Sequence, residues 1–260
     1  MIATKSPSEI ERIAESARIV GGALRLAKQR VADGAKTSDL DAEIEEYIRS
    51  QGAVPSFKGY RGFPASACIS INDEVVHGIP GPDRILRAGD IVSVDVGAYK
   101  DGMHGDGAWT FPVGEVSSEA AEVMNVTRSA LMHGIQKLRP GARLGEYSHA
   151  VQTYVEQRGH AVVRMLVGHG IGRKLHEEPQ VPNFGGPTDG PLLKAGMVLA
   201  LEPMVNVGGF DVITLKDGWT VVTRDHTLSA HFEHTVAITE EGPRILTTPG
   251  PADPDGAPPA

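Results

Sequence analysis

The segment IVSVDVGAYKDGMHGDG, residues 91–107, decides the fold. Its first nine residues alternate in polarity, so Asp95 and Gly97 share one face of a predicted β-strand. The pair Asp101-Gly102 is typical of a two-residue hairpin turn, and a turn at this point places residue 97 opposite residue 106. Asp106 then stands diagonally across from Asp95 on the same face of the hairpin. The segment therefore predicts two carboxylates that face each other.

Two aspartates on one strand face are by themselves more typical of a solvated surface than of a site. The neighbours of Asp95 are apolar, however, in the run Val-Ser-Val-Asp-Val. Burying a lone anion in such surroundings costs free energy unless a partner neutralises it. A bound cation is the simplest partner for the pair.

Three residues elsewhere in the chain suit such a cation. His169 lies between glycines in the run 167–172, Glu202 ends an apolar strand, and Glu233 lies in the alternating strand predicted at 229–238. Each also has an ordinary explanation, as a hydrogen-bonded histidine, a solvated strand end or a polar strand face. Together with the two aspartates they form an oxygen-rich set, which suits hard or borderline divalent ions better than a closed structural zinc site.

The charge of this set favours two metal ions over one. Four carboxylates about 4 Å apart would repel one another by about 4 kcal/mol per pair at an effective dielectric constant of 20. One divalent ion would leave the cluster negative, whereas two balance it.

The chain also repeats itself at a constant displacement of 107 residues, as from Gly34 to Gly141 and from Gly52 to Gly159. The same displacement carries Asp95 onto Glu202. Chance similarity between two helix-turn-strand units is the alternative explanation. We expect an α+β fold of two similar lobes, about 1–112 and 113–247, that share a central antiparallel sheet covered by helices. Residues 248–260, rich in Pro, Gly and Asp, are expected to form a disordered tail.

Composition excludes several classes of function. The 260 residues carry a formal net charge of -8, so no basic field attracts nucleic acid. Cys68 is the single cysteine, and the N-terminal sequence lacks the apolar core of a signal peptide. No apolar run approaches the length of about 20 residues that spans a membrane. We expect a cytoplasmic protein, a monomer, that contacts no membrane.

A series of short motifs then runs in order from about Ser8 to Leu246. They are Cys68-Ile69-Ser70-Ile71-Asn72, Val76-His77-Gly78-Ile79-Pro80, Val94-Asp95-Val96, His104-Gly105-Asp106, Gly168-His169-Gly170-Ile171-Gly172, His176-Glu177-Glu178-Pro179, Glu202-Pro203-Met204-Val205-Asn206, Lys216-Asp217-Gly218-Trp219 and Phe232-Glu233-His234-Thr235. Through these motifs the chain resembles the type I methionine aminopeptidases, metallopeptidases of the M24 family with the pita-bread fold.

The resemblance implies that the enzyme removes the N-terminal methionine of peptides and nascent chains when the second residue is small. It implies two divalent ions, of Co, Mn, Fe or Zn, held by Asp95, Asp106, His169, Glu202 and Glu233, with Asp106 and Glu233 bridging both ions. A metal-bridging water would attack the peptide carbonyl while Glu202 moves the proton, His176 stabilises the oxyanion and His77 contacts the scissile nitrogen. The residues that match the methionine pocket are Tyr60, Phe63, Cys68 and Trp219, for which core packing is the alternative explanation.

Two positions depart from the family pattern, because Phe57 stands where cysteine is common and Leu175 where an aromatic is common. Both departures affect the expected shape of the methionine pocket. Two other functions remain open at this point: a proline-directed peptidase of the same fold, which usually carries an extra N-terminal domain, and a binding module that has lost catalysis. The sequence leaves the physiological metal and any ribosome contact open.

Overall fold

A computed structural model describes residues 2–247, so the predicted tail at 248–260 lies outside the described residues. The run Ser6-Pro7-Ser8-Glu9 predicts a capping box at the start of a helix, and the first helix begins there. Ser6 is the N-cap, its side chain accepts a hydrogen bond from Glu9 N, and the Glu9 carboxylate accepts one from Ser6 N. The helices are α1 (Pro7–Arg30), α2 (Thr37–Ser50), α3 (Ser118–Ile135) and α4 (Leu144–Glu156), with a 3-10 turn at Tyr60–Gly62.

The strands form antiparallel pairs throughout the described chain. They are β1 (Val54–Pro55), β2 (Ala67–Ile71), β3 (Glu74–Val76), β4 (Ile91–Lys100), β5 (Met103–Pro112), β6 (Ala161–Val162), β7 (Gly168–Gly170), β8 (Glu177–Val181), β9 (Val198–Leu201), β10 (Met204–Asn206), β11 (Val212–Thr214), β12 (Val221–Thr223), β13 (Ser229–His231), β14 (His234–Thr239) and β15 (Gly242–Ile245). With the helices packed against these sheets, the expected α+β architecture is confirmed.

The β4–β5 hairpin has the predicted register. Lys100 pairs with Met103 and Gly97 with Asp106 across the turn. Asp101 and Gly102 both adopt positive φ angles, 50° and 81°, as the predicted turn requires. Asp95 and Asp106 therefore share a face, as expected.

The strand predicted at 229–238 is interrupted, and this part of the expectation was wrong. It divides into β13 and β14 at Phe232-Glu233, and its neighbour divides into β9 and β10 at Glu202-Pro203. The two breaks lie side by side, because β9 pairs with β14 and β10 with β13. Proline cannot donate a ladder hydrogen bond, which accounts for the break after Glu202. Both glutamates thus leave the ladder at the same level of the sheet.

β5 belongs to the sheet of β1, β2 and β4, and it lies against the two sheets that contain β13 and β14. Gly97 and Asp106 form a non-hydrogen-bonded pair of the hairpin, so the Asp106 N–H and C=O point away from β4. The Thr235 hydroxyl accepts from Asp106 N at 3.0 Å and donates to Asp106 O at 2.8 Å. The Thr110 hydroxyl binds the N–H and C=O of His231 in the same way. Threonine hydroxyls therefore join β5 to β13 and β14.

Backbone contacts recur at the displacement of 107 residues. Val54 pairs with Tyr99 as Ala161 pairs with Asn206. Isolated bridges likewise join residues 36 and 85, and residues 143 and 192. These repeated contacts support our proposal that the chain consists of duplicated halves, about 1–112 and 113–247.

Most of the buried apolar side chains form one core that α1–α4 share with β4 and β9. A second group of buried apolar side chains, with Phe57, Phe63 and Leu175 among them, forms a separate cluster. None of the helices within residues 2–247 combines the length and apolar character needed to cross a bilayer.

Candidate metal centre

A cavity of about 170 Å³ opens where β4, β5 and the two broken strands meet. The structure places every residue predicted for metal or substrate on its wall. The lining residues are Phe57, Tyr60, Arg61, Phe63, Cys68, His77, Asp95, Asp106, His169, Leu175, His176, Glu202, Trp219 and Glu233.

The carboxylates are fixed through their backbones. Asp95 lies in the middle of β4 between Cys68 and Ala108 of the flanking strands. Glu233 N donates to Ala108 O at 2.9 Å, and the Glu202 carbonyl accepts from Asn183 Nδ2 at 3.1 Å. Each carboxylate therefore emerges from a hydrogen-bonded backbone.

His169 has a defined tautomer. Its Nδ1 lies 2.9 Å from the carbonyl oxygen of Gly170, and a carbonyl can only accept, so Nδ1 carries the proton. The lone pair is therefore on Nε2, which lies 3.5 Å from Glu202 Oε1 and 3.9 Å from Asp106 Oδ2. This is the arrangement of a metal-binding histidine whose second nitrogen is anchored by the backbone.

Burial dominates the electrostatics of the carboxylates in this cluster. Burial raises the pKa of Asp95 to about 7. Burial, followed by repulsion from the neighbouring carboxylates, raises the pKa values of Asp106, Glu202 and Glu233 well above the usual range. Asp95 Oδ1 and Glu233 Oε1 are buried without a hydrogen-bond partner. Buried carboxylate oxygens and an imidazole lone pair at this spacing fit a divalent cation.

Two groups of donors overlap in this cluster. Asp106, His169 and Glu233 form one group, and Glu202, His231 and Glu233 form the other, each with donor atoms within 4.8 Å of one another. Glu233 belongs to both, which is the position that a bridging carboxylate occupies. Asp95 belongs to neither group, although it lines the same cavity.

Two histidines face the cavity from outside this cluster. His176 Nδ1 lies 2.8 Å from the Tyr60 hydroxyl, and the two rings stack with centroids 5.2 Å apart. His77 has a φ angle of 60°, in the left-handed region, and its ring meets the edge of Trp219 at 6.2 Å. Burial lowers the pKa values of both histidines, so both rings are neutral near pH 7.

The remaining wall is apolar. Phe63 meets Trp219 edge to face with centroids 5.1 Å apart, and Cys68 is buried beside Asp95. Phe57 packs against Gly97, where even a Cβ atom would approach the phenyl ring to 2.7 Å. This wall forms an apolar region of the cavity next to the carboxylates.

Sequence reasoning missed two residues at the site. Arg61 lines the cavity from the 3-10 turn, with a φ angle of 50°. His231 belongs to the second donor group and is 1% exposed. A signal for His231 was present, because it lies two residues before Glu233 in an alternating segment and so belongs to the same face.

Known proteins resemble this chain over nearly its whole length. The model of metallopeptidase family M24 matches residues 11–240. Methionine aminopeptidase 1 of Bacillus subtilis is 53% identical over 247 residues, covering 95% of this chain and 99% of the relative. The methionine aminopeptidase of Escherichia coli is 42% identical over 247 residues, covering 95% of this chain and 94% of the relative.

Solved structures agree with these relatives. The methionine aminopeptidase of Thermotoga maritima superimposes with a TM-score of 0.94 at 46% identity, covering 95% of this chain and 99% of its own. The prolidase of Pyrococcus furiosus shares the fold, with a TM-score of 0.77 at 24% identity, over 94% of this chain and 65% of its own.

Proposed function

The chain belongs to metallopeptidase family M24, and from this membership we propose that it is an aminopeptidase that hydrolytically releases N-terminal methionine. The observation that carries the proposal is the buried cluster of carboxylates and His169 beside an apolar pocket of a size for one side chain. Its substrates are peptides and nascent chains that begin with methionine and have a small second residue.

We propose two divalent ions as cofactors. Asp95, Asp106, His169, Glu202 and Glu233 would hold them, with Asp106 and Glu233 shared between the ions. The overlap of two donor groups at Glu233 supports the number two. When bound, the ions supply Lewis acidity, which lowers the pKa of water and polarises the scissile carbonyl.

Glu202 is suited to move the proton. Its carboxylate lies at the break between β9 and β10, inside the cavity, and burial raises its pKa. A raised pKa lets a carboxylate accept a proton from the attacking water and return it to the leaving nitrogen. We assign this role to Glu202.

His176 is suited to stabilise the oxyanion. If the Tyr60 hydroxyl donates to Nδ1, the ring proton stays on Nε2, at the edge of the ring away from Tyr60. A neutral N–H donor placed in this way stabilises negative charge on the carbonyl oxygen of the tetrahedral intermediate. His77, held in the left-handed region by the turn before Gly78, would bind the scissile nitrogen.

The apolar pocket of Tyr60, Phe63, Cys68 and Trp219 would take the methionine side chain. A thioether packs favourably against aromatic rings, and Phe63 and Trp219 provide two of them. The cavity is small, so we expect little room for a large second side chain. This supports release of methionine before Gly, Ala, Ser, Thr, Pro, Val or Cys and retention before Leu, Lys or Phe.

The test combines metal analysis with peptide kinetics. Protein freed of metal by exhaustive chelation should be inactive and should regain activity as Mn²⁺ or Co²⁺ is added to two equivalents. The kcat/KM should be high for Met-Ala-Ser and low for Met-Leu-Ser. Full turnover by protein that elemental analysis shows to be free of metal would refute the cofactor assignment. Turnover of Ala-Pro peptides in place of Met-Ala-Ser would identify a proline-directed peptidase instead.

A further inference from the structure

His231 is the one member of the two donor groups that the proposed five-ligand set does not use. It lies on β13, where it pairs with Met204 of β10. The Thr110 hydroxyl binds both its N–H, at 3.0 Å, and its C=O, at 2.8 Å. The backbone of His231 is therefore fixed from two sides.

The imidazole ring of His231 lacks an ordinary structural role. It is 1% exposed, and neither ring nitrogen has a hydrogen-bond partner among residues 2–247. Leaving a buried polar atom unpaired costs about 1–3 kcal/mol. If His231 only filled the core, nothing would offset this loss of free energy.

The ring lies where a second nitrogen ligand would lie. His231 Nε2 is 3.7 Å from Glu202 Oε2, and His169 Nε2 is 3.5 Å from Glu202 Oε1. Two donors each about 2.1 Å from one ion are about 3.0–3.4 Å apart at octahedral to tetrahedral angles. The His231–Glu202 distance exceeds a hydrogen bond and approaches the separation of two donors that share an ion.

We propose that His231 is a sixth protein ligand of the metal centre, and that it donates through Nε2 on the side of Glu202 Oε2. The centre would then carry two imidazole donors, His169 and His231, with four carboxylates. This inference rests on the proposed function, since it requires that metal ions bind at the cluster. A second nitrogen donor would shift the preference of the site from Mn²⁺ towards Co²⁺ or Zn²⁺.

The test uses the full chain loaded with Co²⁺ alone and does not depend on activity. Imidazole N–H protons of cobalt-bound histidines have paramagnetically shifted ¹H NMR signals that disappear in D₂O. The wild-type protein should show two such signals, and His231→Gln and His169→Gln should each show one. Equilibrium dialysis should show that His231→Gln binds Co²⁺ at least about tenfold more weakly.

His160→Gln is the matched control, because His160 is also a largely buried histidine without hydrogen bonds but does not line the cavity. It should keep both signals and the wild-type affinity, and circular dichroism should show that all three variants fold. If the wild-type protein shows a single signal, which persists in His231→Gln and disappears in His169→Gln, His231 is not a metal ligand. The proposed function would then be unaffected. Failure of the wild-type protein to bind Co²⁺ would overturn both.

Discussion

The hydroxyl of Thr235 should contribute far more to stability than its size indicates. Thr235 is fully buried, and Thr235→Val replaces the hydroxyl with a methyl group of similar shape. The N–H and C=O of Asp106 would then lose the partner that each has at 3.0 and 2.8 Å. Leaving two buried backbone groups unpaired costs about 1–3 kcal/mol each, and the added apolar surface offsets about 1 kcal/mol. We expect the free energy of unfolding to fall by about 3 kcal/mol.

The measurement is urea unfolding of the metal-free protein, so that metal affinity does not enter the comparison. Thr127→Val is the matched control, because Thr127 is equally buried and its hydroxyl donates to the Val123 carbonyl, four residues earlier in α3. That carbonyl also has its helical N–H partner, so no group is left unpaired and the change should stay within about 0.5 kcal/mol. If Thr235→Val and Thr127→Val unfold at the same urea concentration, the Thr235 hydroxyl does not stabilise the contact between β5 and β14 as argued.

Three further results are expected. His176→Ala should keep its metal and lose about 2–4 kcal/mol of transition-state stabilisation in kcat/KM, whereas Asp106→Asn should lose metal by elemental analysis; equal metal loss in both would contradict the assignment. Phe57→Cys should accept bulkier methionine analogues while still rejecting Met-Leu-Ser, and its free energy of unfolding should fall by about 3 kcal/mol. If the variant accepts the same analogues as the wild-type protein, the Phe57 ring does not limit the size of the pocket. Hydrogen bonding from Lys58 lowers the pKa of Glu45 to about 2. The stability that this carboxylate provides should therefore be present above pH 4.5 and lost as the pH falls towards 2. In Glu45→Gln the free energy of unfolding should depend less on pH in this range and should be about 1 kcal/mol lower at pH 7.

The hairpin could be predicted from sequence because its register depends on local rules. Asp101-Gly102 sets the turn, and the two-residue alternation then determines which side chain faces which. The capping box at Ser6 is local in the same sense, and it begins α1 as expected. Each of these features is decided by residues within a few positions of one another.

The break at Phe232-Glu233 could not be predicted, because it depends on pairing with a distant segment. Residues 229–238 alternate without interruption, and nothing in that segment indicates that the ladder stops at Glu233. The break is shared with Glu202-Pro203, about 30 residues earlier, and is visible only once β9 and β14 are side by side. His231 differs from the break, because its place on the same predicted face as Glu233, two residues later, was a local signal that pointed to the site.

The proposed ligands come from both halves of the chain. Asp95 and Asp106 lie before residue 112, and His169, Glu202 and Glu233 lie after it, on the far side of a seam joined by threonine hydroxyls. An ion bound there acts as a removable cross-link, because its full binding energy is available only when the halves are docked. At a free ion concentration one hundred times the Kd, this linkage adds about 2.7 kcal/mol to the folded state. Withdrawal of metal would therefore loosen the seam between the halves as well as stop catalysis.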